Sequence, residues 1–158
     1  MPGPSPTVLL ATDGSDLAVA AVVRAVALFG PDARYVTVAV NPPALGPAPS
    51  VSPMETHPTI VDPDLRAELE ESERAESEAE VRALDAVLGL ATEHLVETGE
   101  PGPVICEVAE RVGADVVVVG SHGHGWLQRV VLGSVSTHVS HHAPCPVLVV
   151  RPEAAAEA

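Results

Sequence analysis

Asp115-Val116-Val117-Val118-Val119-Gly120-Ser121-His122-Gly123-His124-Gly125-Trp126, with Gly133-Ser134 a short way beyond, is the most informative stretch of this chain. Four consecutive valines are apolar on both sides, the pattern of a strand buried on both faces of a parallel sheet. The run stops at Gly120. Glycines behind it let backbone amides approach a ligand closely. Gly133-Ser134 then opens a helix, whose first N–H groups and dipole favour an anion. Strand, glycine loop and helix start are the parts of a phosphate cradle, and such a cradle needs no lysine. Arg129, His122 or His124 could add charge to it. The same glycines also fit a plain turn between Val119 and the final helix, because a lone glycine pattern is weakly specific.

Four further apolar runs flank this one, with helical patterns between them. The first covers residues 7–11 and ends at Thr12-Asp13-Gly14-Ser15. Val19, Val22, Val23, Val26 and Phe29 then recur at helical spacing until Gly30-Pro31. Ser15 or Asp13 would accept from the free N–H groups of that helix's first turn. Residues 34–40 form a second strand rich in β-branched side chains. From Asn41-Pro42-Pro43 to Pro63 the chain is dense in Pro, Ser and Gly, which predicts a long surface loop. Residues 64–88 read as a helix with its many glutamates in water and a thin apolar stripe of Leu65, Leu69, Ala79, Ala83 and Val87. A short third strand falls at 93–97, a helix at 103–111 with Gly113 at its end, a helix within 134–142, and a last strand at 146–150. Alternating strands and helices with valine-rich strands predict an α/β fold, a parallel sheet covered by helices on both faces. One domain over residues 7–151, with disordered tails at 1–6 and 152–158, is the expected organisation. In such sheets ligands bind outside the carboxyl ends of the strands, where the strand order reverses. The two strand ends with unusual residues are the Asp13 turn and Gly120.

Composition narrows the function. The chain has 158 residues, 46% hydrophobic, 19% charged and only 2% aromatic, so its core is aliphatic. A net charge of −14 argues against nucleic acid and anionic membranes as partners. All eight basic side chains are arginines, which removes Schiff-base chemistry and the lysine of a Walker-type phosphate loop. Cys106 and Cys145 form neither a metal spacing nor a disulfide framework, and read as small buried apolar groups. No apolar run approaches the length of a bilayer span. Residues 1–6 have neither a basic stretch nor an apolar signal segment. A cytoplasmic protein is the expectation.

The spacing Gly120-x2-Gly123-x9-Gly133-Ser134 resembles the nucleotide-binding pattern of the ATP-binding branch of the universal stress protein family. The resemblance extends from about residue 7 to 151. Val8 to Ser15 is similar to the family's first strand and Asp turn. Gly99-Glu100-Pro101 and Ala114 to Gly120 resemble its third crossover, and Ala143-Pro144-Cys145-Pro146 to Arg151 its closing strand. The resemblance implies a Rossmann-like, five-stranded parallel sheet of order 3-2-1-4-5, with the switch between strands 1 and 4. It implies that Asp13 meets the adenosine end of a nucleotide and that the backbone of Ala39 meets the adenine. Gly120 and Gly123 would lie near ribose and phosphates, and Gly133, Ser134, Val135 and Ser136 would cradle the phosphates. The implied ligand is ATP, or AMP or cyclic AMP, with Mg²⁺ as an optional companion. The implied assembly is a homodimer through the final strand, residues 146–151.

Plainer readings stand beside these. Asp13 is also a good helix cap, and Trp126 is a packing residue as readily as a stacking platform. His138 and His142 share one face of the last helix, but no Cys or carboxylate stands at ligand spacing, so a surface or interface role is favoured over a metal. Ser134 lacks the Gly-x-Ser-x-Gly elbow of a nucleophile. The sequence therefore favours a nucleotide-binding regulatory module with little or no hydrolysis. An enzyme of the same fold that hydrolyses or adenylylates, and a dimeric interaction module without nucleotide, are the alternatives.

Overall fold

A computed structural model describes residues 5–43, 62–121 and 132–151. The expectations for the proline-rich loop beyond residue 43, for the tails beyond these limits, and for His122, Gly123, His124, Trp126 and Arg129 lie outside the described residues. The chain alternates β1 (Thr7–Thr12), α1 (Asp16–Phe29), β2 (Arg34–Asn41), α2 (Pro63–Leu88), β3 (Glu93–Thr98), α3 (Pro101–Val112), β4 (Val116–Gly120), α4 (Ser134–His142) and β5 (Val147–Val150). All strand pairs are parallel, in the order β3-β2-β1-β4-β5. β1 therefore has β2 on one side and β4 on the other, and the connections wind in opposite directions from it.

Side-chain alternation along the strands builds two cores. Leu9, Ala11, Val36, Val38, Val117 and Val119 face α3 and α4, where Ile105, Val108, Ala109 and Val139 cover them. Val8, Leu10, Tyr35, Val116 and Val118 face the other way, against Val22 and Ala25 of α1. The four valines of β4 are all buried, as a central strand requires. Each large aliphatic side chain so placed contributes about 1.5–3 kcal/mol by leaving water.

α1 begins at Ser15, whose hydroxyl accepts from the Ala18 N–H at 3.2 Å, so Ser15 and not Asp13 is the cap. α3 starts two residues earlier than the sequence suggests. Pro101 is tolerated at its first turn, where a missing N–H costs nothing. Asp115 precedes β4 and ties it to β1: its N–H donates to the Thr7 carbonyl at 2.8 Å and its carboxylate accepts from the Thr7 N–H at 2.7 Å. α3 and α4 come close at Gly102, where an added Cβ would lie 2.8 Å from the His138 ring.

α2 departs most from expectation. Leu65, Leu69, Ala79, Ala83 and Val87 are all exposed, and the buried positions are Ser77, Val81 and Leu84. The spacing of the buried face is helical, but that face carries a serine and begins only in the second half of the helix. Ser77 is accommodated because its hydroxyl donates to Asn41 Oδ1 at 2.8 Å. Past the helix, Asp85 gathers the start of β3. Its Oδ1 accepts from the N–H and hydroxyl of Thr92, both at 3.0 Å, and lies 3.1 Å from His94 Nε2. Burial pushes the Asp85 carboxyl upward, but the hydrogen bonds from His94 and Thr92 outweigh it and hold the carboxyl below the usual range. Burial pushes both cysteine thiols up, and for Cys145 Asp115 and Cys106 add to the effect.

Candidate functional site

Beyond the carboxyl ends of β1, β2 and β4 lies a cavity of about 550 Å³. Ala11, Thr12 and Asp13 enter it from the β1 exit, Val38, Val40 and Pro42 from β2, and Val119 and Gly120 from β4. Pro101 and Ile105 of α3 close one side, and Gly133 to Ser136 form the remaining wall. The volume is in the range of small-molecule sites, and the combination of an apolar floor with a few directed polar groups is typical of them.

The β1 exit is held by its own hydrogen bonds. Thr12 Oγ1 accepts from the Gly14 N–H at 3.1 Å, and Asp13 Oδ1 accepts from the Ser15 N–H at 3.1 Å and from its hydroxyl. Gly14 takes φ +73°, the left-handed region, so that the chain can reverse here. Asp13 is thus placed at the rim with its orientation fixed by Ser15.

The opposite wall is the first turn of α4. Gly133 is the N-cap, in extended conformation, and its N–H donates to the Ser121 carbonyl at 2.8 Å. The Ser121 N–H in turn donates to the Val150 carbonyl at 2.9 Å, which links the start of α4 to the end of β5. The Gly133 carbonyl accepts from Thr137, the first bond of the helix. The N–H groups of Ser134, Val135 and Ser136 precede that bond and have no acceptor within the helix. They give the cavity wall a partial positive charge. The Ser134 side chain is exposed at this wall. The Ser136 hydroxyl is buried and points inward, within 3.0 Å of the Gly133 carbonyl and 3.3 Å of the Ser121 carbonyl. Ser136 therefore helps to shape the turn with its hydroxyl.

The structure brings Asp13, Gly120, Gly133, Ser134, Val135 and Ser136 to one cavity, although they span more than a hundred residues of sequence. Ala39 sits beside it, paired with Thr12 and Val96 in the sheet. Strand alternation turns its side chain to the α1–α2 face, and Val38 and Val40 present theirs to the cavity. Those two valines, Ala18, Pro42, Pro101 and Ile105 were not singled out from the sequence. Strand alternation puts Val38 and Val40 on the same face as core residue Val36, and a residue pattern does not distinguish core from cavity floor. Among the described residues no group of three or more metal-ligating side chains comes together. His138 and His142 stack on each other, with centroids 4.2 Å apart.

An open, doubly wound α/β sheet with a ligand-sized cavity at its switch point and a helix N-terminus as one wall defines the class. The model of the universal stress protein family matches residues 5–151, and the chain belongs to that family. A universal stress protein of Methanocaldococcus jannaschii is 32% identical over 145 residues, covering 91% of this chain and 81% of that protein. A universal stress protein A-like protein of Arabidopsis thaliana is 42% identical over 64 residues, which are 40% of this chain and only 37% of that one. Among solved structures, a universal stress protein from Lactobacillus plantarum superposes with a TM-score of 0.76 at 25% identity, covering 95% of this chain and 100% of that one. A universal stress protein in complex with cAMP gives a TM-score of 0.58 at 25% identity, covering 94% and 98%. Among the described residues no helix is long and apolar enough to cross a membrane.

Proposed function

We propose that this universal stress protein binds an adenine nucleotide, ATP or a relative such as AMP or cyclic AMP, in the cavity at the β1–β4 switch. The observation that carries this reading is the convergence of Asp13, Gly120 and the first turn of α4 on one cavity with an apolar floor. Its two ends differ in charge. The α4 turn offers three N–H donors to phosphate oxygens, and Asp13 at the other rim would repel phosphate and accept from ribose or adenine donors. Val38, Val40 and Ile105 supply the flat apolar contact that a purine ring needs, with Ala39 contributing backbone. A solved relative in complex with cAMP supports the ligand class.

Binding with little or no hydrolysis fits the described lining, in which Asp13 is the ionisable side chain and is engaged with Ser15. Any Mg²⁺ would then be carried by the nucleotide's phosphates. We further propose a homodimer through β5. This is an edge strand, and its four residues Val147–Val150 are each only half-buried, which leaves an apolar edge for a second copy to pair.

The test is titration calorimetry of nucleotide-stripped protein with ATP, AMP, cyclic AMP and adenosine, with and without Mg²⁺. Micromolar binding of a phosphorylated adenosine, weakened by Val40→Trp, is the expected result. The substitution fills the floor at a half-buried position. An absence of binding by all four ligands would remove the nucleotide reading and leave a dimeric interaction module. Turnover of ATP at an enzyme-like rate would favour the hydrolase alternative.

A further inference from the structure

Among the described residues, no element buries the N-terminal half of α2. The helix has 26 residues, but every residue from 63 to 76 is exposed, and burial begins only at Ser77. At 1.5 Å per residue this is an arm of roughly 20 Å. An isolated helix of that length is marginal in water. Arg66–Glu70 at 2.8 Å and Arg74–Glu78 at 3.2 Å give it local support. It also carries two exposed leucines one turn apart, Leu65 and Leu69, at 51% and 44% exposure. Helical geometry puts Glu68 and Glu73 beside that pair, with Glu76 about a turn further along the same face. The same face runs down to a hollow of about 290 Å³ between α2 and the β2 exit, lined by Asn41, Pro42, Glu73, Glu76, Ser77 and Glu80.

From this arrangement we infer that the face of α2 centred on Leu65 and Leu69 is a docking surface for a basic amphipathic helix of a partner protein. Its apolar residues would cover the leucine pair, while its lysines or arginines meet the surrounding glutamates. Charge selects this occupant. Residues 63–76 hold six carboxylates and two arginines, a net of −4, on a chain whose total is −14. Both arginines are engaged with glutamates of the same helix. A second copy would bring two acidic arms together, which like-charge repulsion opposes, whereas a basic helix gains from every carboxylate on the rim. The inference does not depend on the nucleotide reading, since Leu65 and Leu69 lie outside that cavity's lining, although Pro42 borders both hollows.

The probe is a labelled synthetic helix of leucine, alanine and lysine, with leucines one turn apart on one face and lysines beside them. Its fluorescence anisotropy is followed against the full chain, the Leu65→Ser/Leu69→Ser variant and the Glu73→Gln/Glu76→Gln variant. Saturable binding to the parent is expected, about tenfold weaker for each variant, with amide shifts confined to residues 65–80. A control peptide with serines for leucines is expected to lose about as much. Equal binding to parent and leucine variant, or equal binding of the control peptide, would overturn the proposal and leave nonspecific attraction to an acidic protein. A fall of more than about 3 °C in the leucine variant's melting midpoint would overturn it as well, because it would show that the chain itself covers the pair. So would the loss, in that variant, of an oligomer that the parent forms in sedimentation, since the occupant would then be a second copy.

Discussion

Ser134→Asp separates the electrostatic part of the proposed site from its shape. Ser134 is the first helical residue of α4, its side chain is exposed, and its N-cap, Gly133, has no side chain to cap with. A carboxylate there complements the helix dipole and is expected to raise stability by about 0.3–1 kcal/mol. The same carboxylate would face the phosphate drawn to the first-turn amides. At a separation of about 6 Å, two unit charges repel by roughly 0.7 kcal/mol in water and by roughly 2.8 kcal/mol at the effective dielectric of a protein surface. An exposed position lies toward the lower figure, and a phosphoryl group carries more than one charge. The net penalty is therefore about 1–2 kcal/mol, or roughly five- to thirtyfold in Kd. Calorimetry with ATP and adenosine at low and at about 0.3 M salt is the assay, with thermal unfolding followed in parallel. ATP affinity falls, the loss shrinks with salt because the interaction is screened, adenosine affinity is unchanged, and the melting midpoint holds or rises. An unchanged ATP affinity in a folded variant would refute the assignment of the phosphates to this helix. Equal losses for ATP and adenosine would mean that the substitution acts through shape.

Three further outcomes follow from the hydrogen bonds, burial and turn geometry. Asp85→Asn is expected to cost about 1–2 kcal/mol at pH 7 in urea unfolding, since charged hydrogen bonds to Thr92 and His94 are weakened. Asp85 is depressed in the folded state, so its contribution is present above the unfolded pKa near about 4 and is lost as pH falls through the folded value. The difference between parent and variant should therefore shrink below about pH 4, and a difference constant with pH would contradict this. Gly14→Ala forces a side chain into the left-handed region, with its Cβ 2.5 Å from Glu80 Oε2. A loss of about 1–2 kcal/mol is expected, part of it recovered by adding Glu80→Ala; full additivity of the two changes would show that Glu80 does not touch the turn. Cys106 and Cys145 are half-buried with raised thiol pKa values. Iodoacetamide at pH 7.5, followed by mass spectrometry, should label them at least about tenfold more slowly in the folded protein than in urea. Equal rates would refute their shielding.

Much of the fold was legible because its signals are local. The valines of β4 announce a central strand by themselves, Gly30 and Gly113 stand at helix ends, and Ser15 lies where a cap belongs. α2 was legible as a helix but not in its facing. Its composition is acidic all round, so two leucines in the free half outweighed Val81 and Leu84 in the packed half, and only the position of β2 and β3 decides which face is covered. The sequence by itself determined the alternation of elements, the aliphatic core, the helix start at Gly133-Ser134 and the family resemblance. These rest on residue type and spacing along a short stretch. The tertiary structure alone decided that Asp13 and the α4 turn share a cavity, that Val38, Val40 and Ile105 floor it, that the Ser136 hydroxyl bonds to the backbone, and that burial of α2 among the described residues begins only at Ser77. Each of those depends on which strands become neighbours, and strand adjacency is a property of the folded sheet rather than of any local pattern.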